Sequence, residues 1–168
     1  MSAQRVLTAL ILAVTVASPA RAEPTLFPSR VALESLREKL KASGGDPAKI
    51  VRPRKAADLA ALESGKRYKF VVRADGQLAV APLPADAEHN EYVHPILADG
   101  QKVRTAGGLR VDRVDEKITT VTLDQDSQAY CPTAESLTSA KKALIHIGVP
   151  AAAIHVEDRP PKCVTPPK

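Results

Sequence analysis

The run Tyr68–Ala81, Tyr-Lys-Phe-Val-Val-Arg-Ala-Asp-Gly-Gln-Leu-Ala-Val-Ala, decides the fold. Apolar residues recur at every second position in its first half, which is the period of a β-strand. Asp75-Gly76 then supplies a pair that tolerates positive φ in a two-residue turn, and the alternation resumes at Leu78. The run therefore predicts a β-hairpin.

A second hairpin is predicted further along the chain. Its strands alternate from Leu109 to Arg113 and from Lys117 to Leu123, with a turn around Asp115. A helix capped by Thr133 should follow and end at Gly148, since its apolar residues share one face.

A last strand is predicted near the end of the chain, with Ile154 and Val156 facing the core and His155 facing solvent. Together these elements predict an α+β domain over residues 66–158. It would hold a four- or five-stranded antiparallel sheet with one packed C-terminal helix.

Residues 23–65 predict an N-terminal helical extension. Ser29 can cap a helix that carries Leu33, Leu36 and Leu40 on one side and stops at Gly44-Gly45. A short alanine-rich helix is predicted at 56–63. The first helix has a single apolar side, so it must lie on something.

Residues 1–22 have the pattern of a secretory signal. Arg5 precedes a short apolar run, and Ala20 and Ala22 give a small-x-small cleavage pattern. The mature chain is therefore expected to be exported to the periplasm or the extracellular space and to be soluble, with no membrane span.

The charge of the mature chain argues against a nucleic-acid partner. Removal of Arg5 and Arg21 lowers the formal net charge from +5 to +3, with 22 basic against 19 acidic residues. The basic residues are interspersed with acidic ones, and Trp is absent, so stacking platforms for bases are scarce.

Cys131 and Cys163 are the only cysteines. An even count in an oxidising compartment predicts a disulfide that pins the Pro-rich tail, residues 159–168, and such a loop is worth about 3 kcal/mol. Two cysteines with no histidine at a recognised spacing make a poor zinc site.

Standard catalytic motifs are missing from the chain. There is no phosphate-binding glycine loop, nucleophile elbow or His-Glu-x-x-His. Asp124 and Asp126 are spaced like the start of a calcium loop, but the glycine and the final acidic residue of that loop are absent. No metal or cofactor is therefore predicted.

The middle of the chain resembles a known module. The ordered features that carry the resemblance are Asp75-Gly76-Gln77, His94, Ala106-Gly107 and Ser127-Gln128-Ala129-Tyr130-Cys131-Pro132. They are similar to a module shared by the C-terminal region of plant IQ-motif calmodulin-binding proteins and by bacterial proteins, some of polymorphic-toxin type. The resemblance covers about Lys69 to Gly148.

The chain departs from that module where chemistry would be expected. The module's pattern is His-Ser-Ser, then Ala-Ala-Gly, then Ser-Gly-His-Tyr-x-Pro. Here His94 is followed by Pro95-Ile96, and the Gly-His pair is replaced by Gln128-Ala129. The resemblance implies the fold, and the loss of the second histidine argues against catalysis by such a pair.

Three candidate residues each carry two interpretations. His94 is either a buried histidine bonded to a backbone carbonyl or an acid/base group, and Tyr130 either lines a pocket with it or packs against the sheet. Arg104 marks either an anion site or a solvated strand end. Gly107-Gly108 is predicted to let a strand begin or kink where a side chain would collide, rather than to admit a ligand.

Two functions follow as hypotheses. The first is a secreted or periplasmic, non-catalytic binding or structural domain whose surface around His94, Arg104 and Tyr130 contacts an unknown protein or small molecule. The alternative is a small exported enzyme or toxin-related domain in which His94 acts as the base with Asp124 or Asp126.

Overall fold

The computed structural model describes residues 23–165, so the predicted signal at 1–22 and the last three residues lie outside the described part. Its helices are α1 (Leu33–Ala42), the single turn α2 (His94–Leu97) and α3 (Leu137–His146). Its strands are β1 (Arg67–Arg73), β2 (Leu78–Pro84), β3 (Val103–Val114), β4 (Lys117–Leu123) and β5 (Ile154–Val156). Short 3₁₀ turns lie at Pro47–Lys49, Ala56–Ala61, Ala134–Ser136 and Ala151–Ala153.

One five-stranded sheet, in the order β2-β1-β3-β4-β5, confirms the α+β class. The prediction of an antiparallel sheet is wrong at one edge, because β5 pairs parallel to β4. After β4 the chain crosses the sheet through α3 before it returns, and such a crossover sets the returning strand parallel.

Both predicted hairpins form, β1–β2 and β3–β4. The first turn differs from the prediction: Arg73 N–H donates to Gln77 O and Gly76 N–H donates to Arg73 O, each at 2.9 Å, so the loop holds three residues. Gly76, at φ +91°, takes the left-handed position that closes such a loop.

The two faces of the sheet carry separate apolar cores. Strand residues such as Phe70, Val72 and Leu109 pack under α3 in the larger core. Val71, on the opposite face, packs with α1, α2 and Tyr130 in the second core. Three consecutive apolar residues in β1 are thus explained, because both faces of the sheet are covered at that point.

Three local predictions are corrected. Val156 is 46% exposed, because it ends the edge strand and lies outside both cores. Helix α1 starts after Ala32 with no side-chain cap, since the Ser29 hydroxyl hydrogen-bonds to Val31 instead. The segment predicted as a helix at 56–63 forms a 3₁₀ turn over Ala56–Ala61.

The N-terminal segment lies on the sheet rather than apart from it. Phe27 forms an antiparallel bridge with Val103, and Val51 forms one with Val80 on the edge strand β2. None of the helices described between residues 23 and 165 has the length and apolar character needed to cross a membrane.

Candidate functional site

The uncovered end of the second face forms a cleft of about 270 Å³, here called the β1–α2 cleft. Helix α1, strand β1, helix α2, the loop after β4 and the C-terminal tail all contribute to it. Its polar lining is Arg67, Lys69, His94, Asp126 and Gln128, and its apolar lining is Val31, Leu36, Val93, Pro95, Ala129 and Val164.

A partly buried ion pair, with Asp124 buried and Arg67 partly exposed, forms the floor beside this cleft. Arg67 donates from Nε and Nη2 to the two carboxylate oxygens of Asp124, each at 2.8 Å. The backbone N–H groups of Gly108 and Asp126 also donate to Asp124 Oδ1, at 2.8 and 2.9 Å. Burial raises the pKa of Asp124, but these hydrogen bonds outweigh it and hold the pKa below its ordinary value of 3.8.

Two glycines make room for this pair. A Cβ on Gly107 would overlap the backbone oxygen of Asp124, and one on Gly108 would overlap both Arg67 and the Asp124 carboxylate. Gly108 is also the cross-strand partner of Lys69. The prediction that a side chain would collide at these glycines is confirmed, but they lie inside β3 and not at its start.

His94 is the buried histidine that one of the two sequence interpretations describes. It is 9% exposed, and its Nε2 lies 3.0 Å from the carbonyl oxygen of Gly107. A carbonyl only accepts, so Nε2 carries the proton and Nδ1 keeps its lone pair. Burial is the main cause that lowers the pKa of His94 from 6.5 to about 4, so the ring is neutral at pH 7.

This low pKa predicts a specific loss of stability in acid. Between pH 6.5 and pH 4 the His94 side chain is protonated in the unfolded chain but not in the folded chain. The free energy of unfolding therefore falls by about 3 kcal/mol as the pH is lowered through this range. In His94→Gln this loss should disappear, and in His155→Gln, which changes an exposed histidine, it should remain. Urea unfolding of the three proteins at pH 7 and pH 4 measures it; equal losses in wild type and His94→Gln would contradict the assignment.

The two partly exposed charges of the cleft are less fully paired. Lys69 has a single hydrogen bond, 3.4 Å from Nζ to the carbonyl of Asn90, and no carboxylate within 4.0 Å in the described residues. Burial lowers the pKa of Lys69. Asp126 has a side chain that is 32% exposed and one contact, 3.3 Å from Arg67 Nη2.

The structure separates the other predicted site residues from this cleft. Tyr130 is 1% exposed, packs in the second core and donates from its hydroxyl to the carbonyl of Gln101 at 2.9 Å. Arg104 donates twice to the carbonyl of Ala74 and lines two separate clefts, one of which also contains Gly76. Of the candidates, only His94 and Asp126 line the β1–α2 cleft, with Asp124 buried beneath it.

The predicted disulfide is present and closes one wall of the cleft. Cys131 and Cys163 are bonded, with their Cα atoms 5.4 Å apart. The next residue, Val164, lines the cleft, donates its N–H to Gln128 O at 3.3 Å and accepts from Arg30 at 3.2 Å. The bond thus holds the tail against the loop that precedes α3.

Arg67 and Lys69 are the cleft residues that sequence reasoning missed. They alternate with Tyr68 and Phe70, which is the pattern of residues on the solvent-exposed face of a sheet. Val71 lies on the same face of β1 as Arg67 and Lys69, and because it is apolar it indicates that other elements cover part of this face. Lys69 lies at the edge of the covered part.

The described residues offer no ready metal site. Within 23–165, no three His, Cys, Asp or Glu side chains gather closely enough to hold an ion. Comparison with protein-family models, with curated proteins and with solved structures gave no match for the chain.

Proposed function

We propose that this chain is a small exported binding domain, non-catalytic, whose ligand occupies the β1–α2 cleft. One observation carries the proposal: apolar walls surround a set of polar groups that suit recognition better than reaction. Export is inferred from the signal pattern at 1–22 and is compatible with the disulfide.

The state of the polar groups argues against acid/base chemistry. The Asp124 carboxylate already accepts four hydrogen bonds and has a lowered pKa, so it is a weak base. The His94 ring, with a pKa of about 4, carries only its Nε2 proton at pH 7 and has little affinity for a second proton. These pKa values therefore do not support His94 and Asp124 as an acid/base pair that exchanges a proton near pH 7.

The proposal is tested by blocking the cleft. A broad fragment set is screened by ligand-detected NMR against the wild type, Ala129→Phe and Ala60→Phe. Ala129 lines the cleft, so a phenyl ring there should abolish binding of most hits, while Ala60 is exposed elsewhere and should leave it unchanged. Hits that bind all three proteins equally, or no hits at all, would refute a binding cleft.

The enzyme hypothesis keeps one supporting observation, since His94 and Asp126 line the same cleft. Generic chromogenic esters and phosphodiesters provide a direct assay. Turnover that is lost in His94→Gln, while the fold survives by circular dichroism, would favour the exported enzyme or toxin-related domain over the binding domain.

A further inference from the structure

Lys69 is the one cation in the cleft that lacks a carboxylate partner within residues 23–165. Its aliphatic stem is partly buried on β1, opposite a glycine, and its ammonium makes only the long hydrogen bond to Asn90. Two of its three donors are thus available. A partly buried ammonium in this state gains most from a ligand that brings a carboxylate.

The other side of the cleft presents acceptors. The charge of Arg67 is already used by Asp124, through two bonds of 2.8 Å, so its 3.3 Å contact satisfies Asp126 only in part. His94 Nδ1 has no hydrogen bond within the described residues. Both groups can accept hydrogen bonds from a ligand in the cleft.

The charged groups that line the cleft or lie beneath it balance, which favours a ligand without net charge over an anion. Arg67 and Lys69 are positive, Asp124 and Asp126 are negative, and the negative charge of Glu91 also acts on Lys69 from outside the lining. A simple anion would meet Lys69 but leave a second negative charge close to Asp126. A molecule with separate positive and negative groups matches both.

The remaining lining and the size define the rest of the ligand. Val31, Leu36, Val93 and Val164 supply apolar walls. The volume of about 270 Å³ equals roughly nine waters at about 30 Å³ each. That is enough for a single small molecule with a branched aliphatic body, and too little for a folded partner.

We infer that the cleft takes a small zwitterion with an apolar body, of the aliphatic amino-acid class. Its carboxylate binds Lys69, its ammonium binds Asp126 and reaches His94 Nδ1, and its aliphatic part contacts the valines of the cleft. The inference rests on the proposed binding function and adds the chemical class of the ligand.

The test compares leucine with two molecules that each lack one charged group. Isothermal titration of the wild type with L-leucine, 4-methylpentanoate and 3-methylbutylamine should show leucine binding about tenfold or more tightly than either, the effect of one charge-assisted hydrogen bond. This series needs no variant, so it decides the inference even if a substitution fails to fold.

Two variants assign each charge to its residue. 3-Methylbutylamine lacks the carboxylate, so in Lys69→Met leucine should bind no more tightly than this amine. 4-Methylpentanoate lacks the ammonium, so in Asp126→Asn leucine should bind no more tightly than this acid. Lys102→Met, which removes an exposed lysine outside the cleft, should keep the wild-type order. Circular dichroism verifies the fold of each protein.

The outcomes separate this inference from the function on which it rests. Equal affinities for the three compounds, or an order unchanged in both cleft variants, would overturn the zwitterion. Leucine could fail to bind while other fragments bind the wild type but not Ala129→Phe. In that case the proposed ligand class is wrong, but the proposal that the cleft binds a ligand is supported. If no compound binds, both fail.

Discussion

Asp124→Ala is expected to lower the free energy of unfolding by about 3 kcal/mol, because it leaves a partly buried guanidinium and two backbone donors without their acceptor. The substitution removes the acceptor of both hydrogen bonds from Arg67. It also leaves the backbone N–H groups of Gly108 and Asp126 without their hydrogen-bond acceptor. Chemical denaturation monitored by circular dichroism at pH 7 measures the loss.

A second carboxylate provides the matched control. Asp112 also lies on β3's polar side and pairs with Arg110 at 3.5 Å, but both side chains are more than a third exposed. Asp112→Ala should therefore cost no more than about 1 kcal/mol. Similar losses in the two variants would mean that the Arg67–Asp124 pair contributes no more than a surface contact.

The same pair predicts a pH dependence with a defined sign. Because the folded pKa of Asp124 lies below 3.8, its contribution is present above that pH and is lost as the pH falls through the folded value. This window lies below the one expected for His94, so the two groups are distinguishable in acid unfolding.

Reduction of the Cys131–Cys163 disulfide is expected to lower the unfolding free energy by about 3 kcal/mol, because the bond links residues 32 apart and restricts the unfolded chain. A second effect should accompany it. Val164 follows Cys163 directly and forms one wall of the cleft, so release of the tail should weaken the binding of any cleft ligand. Thermal unfolding and titration, with and without a phosphine reductant, measure both.

The double variant Cys131→Ala, Cys163→Ala is the control for the reductant. It should unfold at the same temperature as the reduced wild type and should not respond to the phosphine. An unchanged melting temperature on reduction of the wild type would show that the bond does not stabilise the fold, and unchanged ligand affinity would show that the tail is not a functional wall.

The pairing of strands within each hairpin could be predicted from the sequence, because the two strands of a hairpin are adjacent along the chain. The period of two from Tyr68 onward and the turn at Asp115 are both contained in short segments. The parallel pairing of β5 was not readable in this way. It depends on where α3 returns the chain, and a three-residue strand carries too short a pattern to report its direction.

The candidate site was predictable only in part, for a related reason. The buried state of His94 was one of two interpretations of the sequence, and a site where a side chain would collide was predicted at Gly107-Gly108, because glycine in a strand marks a close approach of neighbouring groups. Arg67 and Asp124 lie 57 residues apart in sequence, and neither has a local signal for the other. Tyr130 is adjacent in sequence to the cleft residue Ala129, yet it points into the core.

The placement of the site in the β1–α2 cleft is tested most directly by mapping the best-binding fragment on the protein with ¹H–¹⁵N NMR. Amide shifts are expected to change at Lys69, Val93, His94 and Ala129, and to stay constant around Arg104, which lies at separate clefts. Shifts concentrated at Arg104 and Lys142, with the β1–α2 cleft unaffected, would contradict it.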